Sequence, residues 1–532
     1  MTALESARTR IDACIAAAVL LGSVLLLAAG IHLQSLVHIN HDVGWIAHSA
    51  AWLLDGRKFG TDILDPNPPL AWFLMLPAVI VARAGWLTEV VAIQAWSWLL
   101  TIAGLSLAAA VLVRINATLG RIESAGFLLS AAAVLALLPV GNFGQREIIA
   151  FALILPYLLL LAGRTQEAPV PGRALALLVG IGAGIGICLK PFLVVVPILA
   201  ELVNLALTRR LHVLIRTETV VMAIAVAAYA AAILVFARDY LDFALPLIRS
   251  VYWAYDDPGY FIASRFREAA MPAAWALGIA LATWSFTRTH AVLIAALAGF
   301  SLAYWVQNKG FPYHAYPVLA GGCVLLAYSG IRAFRAILAS RWLVRRPLRL
   351  LAVLALLAAV LPPLYEPFSK ALFWYQAADR NTGDWGRLRQ EPIDRLRALG
   401  IDSSDYIFAL STHPHPGFPT VNYLGVQWAG RAVSQFAIPA YARRDEIQDP
   451  AQRAAIERAA SLQVSIVIED LRTNRPKYVM VEARQRRLGL GYRHFDDLAF
   501  YGREPEFVRL WSCYEELAPM DQIRLFRRRI GC

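Results

Sequence analysis

Charge is scarce in this sequence. Only 17% of its 532 residues are Asp, Glu, Lys or Arg, against about a quarter in soluble domains. With 58% hydrophobic residues and a mean hydropathy of +0.53, an ordinary water-soluble chain is excluded and membrane residence is the first inference. Cysteine is also sparse: five residues make no disulfide framework. Cys14, Cys188 and Cys323 sit in apolar runs as expected packing residues, whereas Cys513 and Cys532 can pair if their segment faces an oxidising compartment. No internal repeat or low-complexity tract is present, and no dense cluster of His, Cys and carboxylates suggests a metal site, so neither metal nor cofactor is expected. The net charge of +12 is no nucleic-acid footprint, because many of the basic residues lie in short loops between apolar runs, where they set topology.

What charge there is lies at one end. Residues Asn381 to Cys532 carry 41 charged side chains, and the other 380 residues carry 47. The expected division is a membrane body over 1–367, with a long first outer loop at 34–88, and a soluble domain over 368–532. Runs long enough to span a bilayer, about 17–25 residues each, fall near 11–33, 90–113, 122–140, 147–163, 174–189, 191–207, 218–237, 271–287, 290–306, 316–334 and 349–366. The first, preceded by Arg8 and Arg10 and lacking a small-residue cleavage site, reads as a retained signal-anchor helix.

Leu70–Ala82 is apolar but short and contains Pro77. With eleven crossings and a cytoplasmic N-terminus, the basic connections at Arg114/Arg121, Arg164/Arg173, Arg209/Arg210/Arg216, Arg288 and the six arginines from Arg332 to Arg349 all fall inside. A further crossing at Leu70–Ala82 would move every later one outside, so this segment is expected to be a half-inserted or interfacial outer-face helix. The same parity puts the loops near Asp42, Glu147, Lys190, Asp256 and His314 on the outer face with the tail. Tyr406–Leu410 and Tyr478–Val481 read as buried strands, and Pro392–Leu399 and Ala451–Ala460 as helices, which makes the tail a small α/β domain.

Carboxylates beside a bilayer are functional candidates. The first outer loop runs Asn40-His41-Asp42-Val43-Gly44-Trp45, then Leu53-Leu54-Asp55-Gly56, then Asp65-Pro66-Asn67-Pro68-Pro69-Leu70. Val43–Leu54 has helical apolar spacing with Asp42 at its N-terminal edge. Singly, Asp42 reads as a helix cap and Asp65–Pro69 as a rigid turn. Gln145, Arg146 and Glu147 break two apolar runs; Gly182-x-Gly184-x-Gly186 leads to Lys190, a cation able to snorkel; and Lys309, Tyr313 and His314 occupy a polar connection. Together they offer one face a carboxylate able to take a proton from a hydroxyl and cations able to hold a departing phosphate.

These residues resemble the GT-C membrane glycosyltransferases, in particular the bacterial branch akin to protein O-mannosyltransferases and the lipid A aminoarabinose transferase. That family carries an acid in the first outer loop, an amphipathic helix ending in a Leu-x-Gly-like turn, and a Pro-Pro-Leu segment, matched by Asp42, Leu53–Gly56 and Asn67–Leu70. Its Gly-rich helix ending in a Thr-Lys-Gly-Pro-like turn resembles Gly182–Pro191, with Lys190 at the lysine, and Glu147 loosely matches an acid of the second outer loop. The likeness covers roughly 1–370. It implies a polyprenyl-phosphate-linked sugar donor, an inverting transfer to a glycan, lipid or protein acceptor, and Asp42 as base. Arg146, Lys190, Lys309 and His314 would bind phosphate, and Asp65 and Glu147 would orient sugar or acceptor, with Asn67, Gln145 and Tyr313 alongside. Val43 stands where many relatives have a second acid, and Asn67 where Lys or His is common. A transporter or flippase is the alternative, but it would be expected to show paired repeats and mid-membrane ionisable residues. A noncatalytic scaffold is a third, with the tail's Tyr406–Arg431 stretch, including His413, Pro414, His415 and Pro416, as its binding loop.

Overall fold

The computed structural model describes residues 3–169, 171–256, 258–341 and 346–532, and side chains from Cys14 onward. Of the basic residues used for topology, Arg345 and the side chains of Arg8 and Arg10 lie outside the described residues.

Each of the eleven apolar runs forms a helix. Eight helices among the described residues are long and apolar enough to cross a membrane. The helices Arg121–Leu137 and Arg173–Leu189 have 17 residues each. The run expected at 271–287 belongs to a helix that begins earlier and ends sooner, Gly259–Ala282. Arg265, Arg267 and Glu268 extend its N-terminal part, and beyond its end Trp284 takes a left-handed φ of 53°. The last run continues to Ala378 through Pro362, Pro363 and Pro367. Leu70–Arg83 is a helix of 14 residues, about 21 Å long at 1.5 Å per residue, short of the roughly 30 Å of a bilayer core.

The chain divides into two compact units. The first comprises residues up to Val37, Ser97–Tyr229 and Pro258–Gln376 and is helical. Its central helix, Arg146–Arg164, is buried at every residue from Arg146 to Gly163, which only an all-round apolar helix tolerates. The Gly-rich helix Arg173–Leu189 packs closely beside it and beside helix Thr217–Phe236: a Cβ on Gly186 would lie 3.0 Å from the Ala150 carbonyl oxygen, and one on Gly184 would lie 2.6 Å from the Ala225 Cβ. Close helix packing is therefore what these glycines provide.

The second unit comprises His38–Trp96, residues 230–257 and Ala377–Cys532. The segment His38–Trp96 thus belongs to the same compact body as the tail. Its sheet has strands β1 (Tyr406–Leu410), β2 (Gln427–Trp428), β3 (Tyr478–Glu482), β4 (Tyr514–Glu516) and β5 (Ile523–Arg528) in the order β2-β1-β3-β5-β4. β1 pairs in parallel with β2 and β3, and β5 runs antiparallel between β3 and β4. The apolar runs of β1 and β3 are buried, as parallel strands covered on both faces require. Helix Pro450–Asn474 makes the crossover into β3. Cys513 and Cys532 are joined as a disulfide. Cys188 and Cys323 are buried as packing residues, but Cys14 lies on the outside of its helix.

Candidate functional site

The loop–tail unit is built around helix His41–Leu54. Asn40 is its N-cap, accepting the Asp42 backbone N–H at 2.9 Å. The capping role expected of Asp42 therefore falls to Asn40, and the Asp42 carboxylate, 23% exposed, stands in the first turn 3.6 Å from the His41 ring. Asp65 is buried: it accepts the Trp45 indole N–H at 2.9 Å and both the backbone and side-chain N–H of Asn67 at 2.7 and 2.8 Å. Asp65 and Asn67 thereby fold the Pro-rich turn onto the helix, and the next helix follows through the Trp72 indole, which donates to Ser49 at 2.7 Å.

The tail closes over this loop. Leu64 donates its backbone N–H to Arg431 at 2.9 Å and forms a parallel bridge with Ala432. Asn422 donates to the Gly44 carbonyl at 3.0 Å and to Glu89 at 2.8 Å. Phe418 packs its ring 5.5 Å from Trp45 and 5.7 Å from His48. The segment His413–Pro416, following β1, brings the His413 ring 4.3 Å from that of His41. His413 accepts the His415 backbone N–H through Nδ1 at 2.9 Å, and donates its own N–H to Ser411, which hydrogen-bonds Glu482 at the end of β3 at 2.7 Å. Glu482 also pairs with Arg484 at 2.6 Å and Arg487 at 3.3 Å. The carboxyl ends of the parallel strands β1 and β3 thus converge on the N-terminus of the Asp42 helix, the edge where open α/β sheets present ligand sites. Burial lowers the His41 pKa to about 4, with Arg389 and Arg484 pushing it down and Asp42 pulling it up. His413 and His415 lie well below the usual range for the same first reason, so all three imidazoles are neutral at pH 7.

The helical unit gathers a different set. Glu147 lies 2.9 Å from Lys190 Nζ and 3.3 Å from His314 Nε2, and Lys190 is 3.4 Å from His314 and donates to Gln307 at 3.3 Å. Lys190 is therefore a bonded member of a buried cluster, and Glu147 is the carboxylate that holds it. Arg146 and Lys309 act electrostatically on the same cluster. Gln145 is the N-cap residue of the Arg146–Arg164 helix and Tyr313 packs its ring 4.8 Å from His314. The far end of that helix carries a second charge cluster. Arg164 pairs with Glu218 at 3.1 Å, while Glu201 accepts from Tyr157 and Arg216. Glu147 and Arg164 are separated by about 26 Å of helix, so the two clusters sit a bilayer core apart.

The sequence reading missed Arg389 and Arg484. They act on His41 from segments more than 300 residues away along the chain, and no sequence signal marks them.

The chain is similar in fold to ArnT from Cupriavidus metallidurans bound to undecaprenyl phosphate, with a TM-score of 0.59 and 13% identity over 96% of this chain and 98% of that one. The apo state of that ArnT gives 0.57 and 12% over the same shares. A weaker likeness, TM-score 0.48 and 11% identity over 88% of this chain and 69% of the other, links it to the archaeal oligosaccharyltransferase AglB from Archaeoglobus fulgidus in complex with an inhibitory peptide and a dolichol-phosphate. No protein-family model and no curated protein matches the sequence. At these identities the likeness is one of fold: the chain has the polytopic helical GT-C architecture, shared with ArnT along nearly its whole length and completed by a small C-terminal sheet region.

Proposed function

We propose that this protein is a membrane glycosyltransferase that moves a sugar from a polyprenyl-phosphate-linked donor to a hydroxyl of a glycan, lipid or protein acceptor on the periplasmic face. The observation that carries this reading is the end-to-end likeness to an ArnT that binds undecaprenyl phosphate. The disulfide Cys513–Cys532 supports an oxidising compartment for the tail, and the inside arginines support the orientation.

In this reading the acceptor hydroxyl loses its proton to Asp42 as its oxygen attacks the anomeric carbon. The glycosidic C–O bond breaks with inversion, and the electron pair leaves on the lipid phosphate. Lys190, with Arg146, Lys309 and His314, holds that phosphate as its charge grows. Glu147 positions Lys190, and Asp65 with Asn67 shapes the loop that presents Asp42.

Asp42→Asn keeps the shape and removes the base. It is expected to lower transfer by about 10²–10⁴-fold with the protein still folded and inserted. Mass spectrometry of surface glycans from a deletion strain complemented with this variant reads the outcome. Restoration of the missing sugar to near wild-type levels would sink the assignment of Asp42.

A further inference from the structure

Arg389 has no visible partner of opposite charge. It lies in helix Asp384–Ala398 of the loop–tail unit, partly buried, and forms no hydrogen bond or ion pair among the described residues. The groups that act on its charge are a second cation, Arg484, and the Tyr423 phenol, and burial together with Arg484 pushes its pKa down. Arg484 pairs with Glu482 at 2.6 Å, and Arg487, which also contacts Glu482, pairs with Asp497 at 2.7 Å. Both Arg389 and Arg484 act on His41, His413 and His415. His415 Nε2 is buried and without a hydrogen-bond partner. Arg484 thus has the Glu482 carboxylate, whereas Arg389 has a like charge near it and no carboxylate of its own among the described residues. A partly buried charge is unfavourable unless something pairs it.

We propose that Arg389 and Arg484, with His41 and His413, form an oxyanion-binding subsite beside Asp42 that takes a phosphate or carboxylate group carried by the acceptor. The inference rests on the glycosyltransferase reading and adds the acceptor's chemical class: an anionic glycan, lipid or peptide, not a neutral one. The planar arginine fork matches either oxyanion in bidentate fashion. The neutral imidazoles can donate N–H bonds without adding charge. His41 adjoins Asp42 in sequence and touches its carboxylate at 3.6 Å, so an anion held here brings a neighbouring hydroxyl of the same molecule to the base.

The test is equilibrium binding to the full-length protein in nanodiscs, with inorganic phosphate and glucuronate as soluble probes and undecaprenyl phosphate as the lipid probe. Wild type is expected to bind at least one soluble probe, Arg389→Gln to bind it at least tenfold more weakly, and both to bind undecaprenyl phosphate alike. Arg389→Lys keeps the charge without the fork and is expected to weaken the soluble anion severalfold. Should Arg389→Gln fail to fold, the Lys variant decides. No binding of either soluble probe to wild type, or equal binding by the Arg389 variants, overturns the proposal. A loss of undecaprenyl phosphate larger than the loss of the soluble anion overturns it too, by assigning the subsite to the donor. Because no turnover is read, the outcome is separable from the transferase reading: Asp42→Asn is expected to keep the anion while losing transfer.

Discussion

The helical unit and the loop–tail unit treat buried charge in opposite ways. Around Glu147, Lys190 and His314 close on one carboxylate at contact distance, with Arg146 and Lys309 acting on the same cluster, and the Glu201 and Glu218 cluster at the other end of the same helix is matched by Arg216 and Arg164. Around Asp42 the histidines are kept neutral and Arg389 has like charge for company. Lys190 already has a carboxylate at contact distance, and a ligand phosphate entering there must compete with Glu147 for it. An unmatched cation is an unfilled half of a pair. The first arrangement makes a set geometry; the second makes an affinity.

That contrast can be broken first at Lys190. Lys190→Ala leaves the Glu147 carboxylate buried with its nearest cation gone, which is expected to cost about 3–5 kcal/mol of stability along with donor use. Lys190→Met with Glu147→Gln removes both charges and is expected to restore the thermal unfolding midpoint but not donor binding. If the double variant unfolds as readily as Lys190→Ala, Glu147 is not the residue whose charge Lys190 balances.

The loop–tail unit should respond to pH instead. His48 is buried against Phe418 and Trp52, with its pKa lowered to about 4 by burial and then by Arg57 and Arg83. The unfolded chain takes up that proton near pH 6.5 and the folded chain only near 4. Its contribution is therefore constant above about 6.5, declines as pH falls toward 4, and is lost below that, by up to about 3 kcal/mol at roughly 1.4 kcal/mol per pKa unit. Chemical denaturation at pH 7 and pH 5 is expected to show a smaller acid loss for His48→Gln than for wild type. Equal losses would contradict a neutral buried His48.

The smallest of these effects sharpens how the tail is fastened to the loop. A Cβ on Gly44 would lie 2.4 Å from Asn422 Oδ1, and Asn422 is fixed by its bonds to Gly44 and Glu89. Gly44→Ala is expected to cost about 1–2 kcal/mol and to raise protease sensitivity in the tail. An unchanged cleavage rate would mean that the asparagine swings away freely.

Much of the fold was legible in the sequence. Apolar runs of spanning length leave the backbone only the helix in a bilayer, so all eleven could be read without tertiary knowledge. The alternation of β1 and β3 with polar helices marked the tail as α/β. Asp42, Glu147, Lys190 and His314 stood out because charge near a membrane is rare.

Pairings were not legible. That Asn40 caps the helix in place of Asp42, and that Glu147 holds Lys190, each depend on where side chains meet in space. The Arg389 subsite is the extreme case, because the chain separates Arg389 from His41 by more than 340 positions. The sequence by itself determined which segments are helices and strands, and which residue types stand near the bilayer, because hydrophobic burial is set by composition along the chain. Only the tertiary structure decided which of those charges are matched and which is left waiting, because a counterion is defined by a few ångströms and not by its place in the chain.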